Sequence, residues 1–165
     1  MNEEAFDARL TFLVYRVTAK LTLVANRLFR QHGLDIYSSR ILLLLVDTGE
    51  RTVRDLIEIM ALPQSTISHQ VLRLEKQGLI TRKRVAEDNR VVLVALTEAG
   101  RTAASAVDAF SRRINAAMIA DLDPVQRLVA PLALRSLLRT LDREGPDVSE
   151  RIGVRTPASG RAGNP

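Results

Sequence analysis

Cysteine is absent from the chain, which rules out disulfides, thiolate metal ligation and thiol redox sensing. That absence fits a reducing compartment. Tryptophan is absent too, and aromatic residues make up 4%. The core must therefore come from Leu, Val, Ile and Ala, a composition that leans towards packed helices. Only two histidines occur, His32 and His69, so a zinc site would have to be built mainly from carboxylates; no metal site and no cofactor is expected. Long apolar runs are missing as well. Ile41 to Val46 and Val91 to Leu96 fall far short of a bilayer span, so no membrane association is expected. The opening Met1-Asn2-Glu3-Glu4 is acidic and lacks a signal-peptide pattern, so the expected location is cytoplasmic.

What is present is basic. The net charge is +5 over 165 residues, with charged residues at an ordinary 26% and apolar residues at 46%. The length suggests one domain. A basic balance suits phosphate neutralisation, although alone it decides little. Arg dominates, with Lys only at 20, 76 and 83. Arg forks suit phosphate and guanine, and a GC-rich genome produces the same bias.

Along the chain, residues 5–31 read as one amphipathic helix. Phe6, Leu10, Leu13, Val17, Leu21, Val24 and Leu28 recur at steps of four and three, a heptad seam that suits either a core-facing helix or a partner subunit. Gly33 is a plausible stop. Residues 36–46 read as a buried helix, and 47–50 as a turn. Thr52 stands three residues before Asp55, a capping-box spacing that opens a short helix over 53–60, with Leu56, Ile59 and Met60 on one face. Pro63 suits the first position of the next helix, 63–77. That helix is expected to turn Ile67, Val71, Leu72 and Leu74 inward, and Gln64, Ser65, Thr66, Ser68, His69 and Arg73 outward. After Gly78 the period changes: 79–85 and 90–96 read as a hairpin around the polar 86–89. Thr97-Glu98 caps a helix with Ala103, Val107, Phe110, Ile114 and Met118 on one face. Asp123-Pro124 starts another, carrying Leu128, Leu132, Leu134, Leu138 and Leu141, in which Pro131 should kink the helix or shift its start. Residues 145–165, rich in Gly, Pro, Ser and Arg, read as a disordered tail.

This order predicts a mainly α fold with a small β-hairpin wing: a winged helix-turn-helix over 36–101 flanked by helical regions, which the resemblance given below implies to be dimerisation helices. A helix fits the major groove, and its first residues reach base edges if they are polar and short. Gln64, Ser65, Thr66, Ser68 and His69 meet that need, with Ser38 and Thr52 as further candidate DNA contacts. Gln64 and Gln70 are able to read adenine bidentately, and Arg73 is placed to reach the DNA backbone. The helix's free N–H groups favour phosphate. The hairpin adds Arg82, Lys83 and Arg84 on one strand and Arg90 beyond the tip, which suits flanking phosphates and the minor groove. Basic residues on an exposed hairpin can also be merely solvated; their place beside the 63–77 helix favours DNA.

Taken together, Thr52-Val53-Arg54-Asp55-Leu56, Ser65-Thr66-Ile67-Ser68, Leu74-Glu75-Lys76-Gln77-Gly78-Leu79-Ile80, Asp88-Asn89-Arg90 and Leu96-Thr97-Glu98-Ala99-Gly100 closely resemble the MarR (multiple antibiotic resistance regulator) family. The pieces are weak singly; their order and spacing are specific. The resemblance covers residues 6–142. It implies that 6–31 and 98–142 form a homodimer interface and that two winged domains enter successive major grooves of a near-palindromic DNA operator. It implies a wing-tip role for Arg90, with Asp88 as its brace, and most often a repressor. Many relatives respond to small aromatic or phenolic acids, and Tyr15, Arg16, Tyr37 and Arg40 lie in segments suited to such an effector pocket. Pro63 and Pro131 depart from the family pattern.

Three other readings were weighed. Ser65 and His69, four apart on a helix, are half of a nucleophile–base pair, but no strained elbow or third orienting group accompanies them, so the chain is not expected to be an enzyme. A zinc-dependent regulator would have to draw its ligands mainly from carboxylates, with only His32 and His69 beside them, and is not expected. A winged helix used only for protein contact differs from a DNA binder in lacking a steep salt dependence.

Overall fold

The computed structural model describes residues 9–85 and 88–144, without the side chains of residues 85, 88–90 and 144. Phe6 and the 145–165 tail lie outside the described residues. The chain divides into two compact units, one up to Ala117 and one from Met118 onwards.

In the first unit, helix α1 runs Leu10–Phe29 and tightens into a 3-10 turn over Arg30–His32. Gly33 then takes a left-handed φ of 67°, which permits the stop expected there. Helix α2 spans Ile36–Thr48, so Asp47 and Thr48, expected in a turn, complete its last turn instead. Strand β1, Arg51–Thr52, has only two residues and no propensity signal of its own. Helix α3 (Val53–Met60) starts at the expected box: the Thr52 hydroxyl accepts from the Asp55 amide at 3.0 Å, and the Asp55 carboxylate accepts from the Thr52 amide at 2.9 Å. A left-handed Ala61, φ 50°, makes the sharp turn into α4, Gln64–Lys76. Pro63 is the cap residue rather than the first helical one.

Strands β2 (Ile80–Val85) and β3 (Asp88–Leu96) form the expected hairpin, and β1 adds to β3 antiparallel, pairing Arg51 with Val94 and Thr52 with Leu93. The sheet order β1-β3-β2 ties the start of α3 to the wing. Thr97 closes the sheet onto helix α5, Glu98–Met118. Its amide donates to the Leu79 carbonyl, and its hydroxyl donates to the Gly78 carbonyl and accepts from the Gly100 amide.

The core gathers Phe29, Leu34, Ile41, Leu42, Leu45, Leu56, Ile67, Val71, Leu74, Ile80, Val94 and Val107. Phe29 meets Phe110 edge-on, which packs the end of α1 against α5. Ile59 and Leu72, expected inside, are exposed, because α3 and α4 each bury only a narrow stripe. On α1 only Ala25 and Phe29 are buried; Leu10, Leu13, Val17 and Val24 of the heptad seam face solvent within this chain.

In the second unit, Asp123 and Gln126 form a reciprocal cap around Pro124 and open helix α6, Pro124–Glu144. The helix runs through Pro131 with its expected start unshifted. Leu128, Leu132, Leu134, Leu138 and Leu141 are all exposed. Among the described residues, no helix is long and apolar enough to cross a membrane.

Candidate nucleic-acid interface

Helix α4 has two unlike sides. Ile67, Val71 and Leu74 are fully buried and fix it against the core. Gln64, Ser65, Ser68 and His69 are exposed, and Thr66 is half-buried at the edge between them. The cap residue is a proline, whose side chain cannot accept a hydrogen bond. The first internal bond of the helix runs from the Ile67 amide to the Pro63 carbonyl. The amides of Gln64, Ser65 and Thr66 therefore point outward from a positive helix end, beside short polar side chains.

Several candidate contacts are spoken for elsewhere. Ser38, proposed to touch DNA, has no exposed surface: it is the third residue of α2, and its hydroxyl and amide exchange hydrogen bonds with Asp35. Thr52 is half-buried and its hydroxyl caps α3. Gln70, a candidate adenine reader, is only 6% exposed and donates to Asp35 Oδ2 at 3.0 Å. Arg73, expected to reach the DNA backbone, instead pairs with the same oxygen at 2.6 Å and also donates to the Gly33 carbonyl. Ser38, with no exposed surface, is thereby corrected as a contact; Thr52 and Arg73, the latter 34% exposed, keep surface of their own while serving the fold's own donors and acceptors.

Asp35 is the hub of these contacts, and local sequence patterns did not reveal it. Partial burial alone would raise its pKa. The Ser38 amide and hydroxyl, the Gln70 amide and the Arg73 charge outweigh that effect and hold the carboxyl below the usual carboxylate range. A signal was available in hindsight. Asp35-x-x-Ser38 has capping spacing, and Gln70 and Arg73 of α4 fall on one stripe with Gln77, its C-terminal cap residue.

On the wing, Arg82 pairs with Glu75 near the end of α4, with Nη2 at 2.6 Å, so it too is engaged within the fold. The bond to Glu75 raises the Arg82 pKa further. Lys83 and Arg84 are exposed along β2. Arg90 and Asp88 lie on the β3 backbone next to the tip, where Asp88 pairs with Val85; the expected brace between their side chains lies outside the described residues.

Of the effector candidates, Tyr15 and Arg16 gather around Phe12 on α1: Tyr15 stacks at 6.2 Å between centroids and the Arg16 guanidinium sits over the ring at 5.7 Å. Tyr37 and Arg40 are exposed on the first turns of α2. Among the described residues, no cluster of His, Asp and Glu has metal-binding geometry.

Comparison with known proteins agrees with this arrangement. The family model for the transcriptional regulator SarA/Rot matches residues 24–107. This chain belongs to that family, of the MarR-type winged-helix regulators. The organic hydroperoxide resistance transcriptional regulator of Bacillus subtilis is 37% identical over 94 residues, 57% of this chain; the match covers 64% of the relative's length, less than two thirds. Among solved structures, the S. aureus MepR–DNA complex superposes with a TM-score of 0.74 at 19% identity, covering 81% of this chain and 98% of that one. Bordetella bronchiseptica BpsR, solved to explain regulation of its DNA binding by 6-hydroxynicotinic acid, superposes with a TM-score of 0.73 at 23% identity, covering 80% of this chain and 94% of that one. The matching family model and the Bacillus subtilis relative are both described as transcriptional regulators.

Proposed function

We propose that this regulator is a cytoplasmic homodimer that binds a near-palindromic duplex operator and represses transcription until a small aromatic or phenolic acid releases it. The winged helix-turn-helix is assigned to 36–101 and the dimer helices to 6–31 and 98–142. The observation that carries the reading is the exposed N-terminal face of α4, where Gln64, Ser65, Ser68 and His69 surround an uncapped helix start. That face suits base edges, while the outward amides, Arg84 and Arg90 suit phosphates.

The exposed apolar residues of α1 and α6 support dimerisation, since isolated patches of that extent are uncommon on monomers. The DNA complex of MepR and the 6-hydroxynicotinic acid regulation of BpsR support the DNA and effector parts by analogy of fold. Tyr15, Arg16, Tyr37 and Arg40 are the residues offered to an effector carboxylate and ring.

Footprinting of a bound duplex tests this. Two protected patches about one helical turn apart, at two chains per duplex, are expected. A single protected half-site at one chain per duplex contradicts it. Binding that is indifferent to added salt would mean a protein partner instead.

A further inference from the structure

The side chains of Gln70 and Arg73 on α4 and of Gln77, the residue that caps its end, stand at spacings of three and four and form one stripe. All three reach the short junction between α1 and α2. Arg73 Nη1 and Gln70 Nε2 donate to Asp35 Oδ2; Arg73 Nη2 and Gln77 Nε2 donate to the Gly33 carbonyl. The other carboxylate oxygen of Asp35 is taken by the Ser38 amide and hydroxyl. From the opposite side, Asn26 of α1 accepts the Ile36 amide at 2.8 Å. The junction has no room to spare at Gly33, which holds a left-handed conformation and where a Cβ would lie 3.3 Å from Gln77 Nε2.

The exposed residues lie round the helix from this stripe. Ser65 is five residues before Gln70 and Ser68 five before Arg73, about 140° apart on the helical wheel. A rotation or slide of α4 against the junction would therefore move the exposed face by a similar amount. Base readout depends on placement to about an ångström, whereas contacts to phosphate carry no sequence information.

We propose that Asp35 is a positioning residue for DNA recognition: through Arg73 and Gln70 its carboxylate sets how α4 lies on α2, and so where Ser65, Ser68 and His69 meet the bases. Asp35, Gln70 and Arg73 do not touch DNA. This rests on the reading that α4 enters the groove. A cap alone would not need the acid, since Asn serves that role as well. The charge serves Arg73, because a charge-assisted pair is the stronger and more directional anchor.

The test uses Asp35→Asn, which keeps an oxygen for the Ser38 amide and removes the charge, together with Arg73→Met, Arg73→Lys and the Asp35→Asn/Arg73→Met double variant. Dissociation constants are measured over a salt series for a duplex that the unaltered protein selects from a random pool and for a scrambled duplex of equal length. Each single variant should weaken the selected duplex about tenfold, and the double variant no further, as for two members of one interaction. Scrambled-duplex binding and the salt slope should stay unchanged, and Arg73→Lys should recover part of the selectivity.

The proposal is overturned if Arg73→Met lowers the salt slope by about two, roughly one for each chain on the duplex, since Arg73 would then be a phosphate contact. It is equally overturned if Asp35→Asn binds both duplexes as tightly as the unaltered protein, or more tightly. Should Asp35→Asn fail to fold, the two Arg73 variants carry the same comparison. If the unaltered protein selects no sequence at all, the groove reading itself fails, and the positioning role fails with it.

Discussion

Arg82 on β2 and Glu75 near the end of α4 form an ion pair, with Nη2 2.6 Å from the carboxylate, that joins the wing to the helix proposed to read DNA. Both side chains are about one-third exposed, so the pair adds about 0–1 kcal/mol to stability. Its consequence is for binding. An arginine already paired contributes little to phosphate neutralisation, whereas Arg84, exposed on the same strand, is available. Arg84→Ala removes one phosphate contact from each of the two chains on a duplex and should reduce the slope of log affinity against log salt by about 1.8, and Arg82→Ala should leave it nearly unchanged. Equilibrium binding at four or five salt concentrations checks both; equal losses of slope would show that Arg82 leaves Glu75 when DNA binds.

Gly100 lies in the first turn of α5, directly over the end of the wing. A Cβ built there would stand 1.9 Å from the Leu79 carbonyl oxygen, a backbone atom fixed by its bond to the Thr97 amide. Gly100→Ala should therefore destabilise the fold by about 3 kcal/mol, the upper end of the usual cost of overpacking, because the atom met is backbone. Denaturant unfolding checks this, with Gly49→Ala as a comparison whose cost is backbone conformation alone: nothing lies within 4 Å of a Cβ there, and its φ of 74° and ψ of −157° fall in a region that only glycine adopts readily.

Much of this was legible in the sequence wherever the signal is local. The Thr52–Asp55 box, the Asp123-Pro124 start, the stop at Gly33 and the hairpin after Gly78 each depend on residues within a few positions of one another. What was not legible depends on partners far along the chain. Strand β1 exists because Arg51 and Thr52 meet β3 more than forty residues later, and no two-residue segment announces that. Gln70 and Arg73 read as outward because they are polar, yet Asp35, 35 and 38 residues earlier, turns them inward. Ser38 was misassigned for the same reason, its buried hydroxyl being satisfied by Asp35. The outward placement of Ser65, Ser68 and His69 followed from the helical period alone.

Two carboxylates should make the protein acid-sensitive. Asp55 is held below the ordinary value of 3.8 chiefly by the Thr52 amide and then by its hydroxyl. Asp35 is lowered too, the Ser38, Gln70 and Arg73 interactions overcoming the burial that would raise it. With folded-state pKa values below the unfolded ones, the unfolded chain binds more protons in acid. The stabilisation is therefore complete above about pH 5 and is lost as the pH falls past 3.8 and through the folded-state values. Urea midpoints between pH 7 and pH 3 should fall on the acid side, and Asp35→Asn with Asp55→Asn should flatten that limb. An acid limb of undiminished steepness in the double variant would place the sensitivity elsewhere.

The apolar residues exposed on α1 and α6 should be covered in solution. Leu128 and Leu138 are 69% and 60% exposed within the single chain. Sedimentation should give twice the chain mass at micromolar concentration, and Leu128→Glu with Leu138→Glu should give monomers with weakened operator binding. Monomers in the unaltered protein would remove the dimer from the proposed function.

Selection of bound duplexes from a random pool is the most direct measure of the central claim, that the exposed face of α4 reads base edges. The unaltered protein should enrich two related half-sites about ten base pairs apart, and Ser65→Ala with Ser68→Ala should enrich a different or degenerate pattern at the same spacing. The same pattern from both proteins, or no enrichment from the unaltered one, would contradict it.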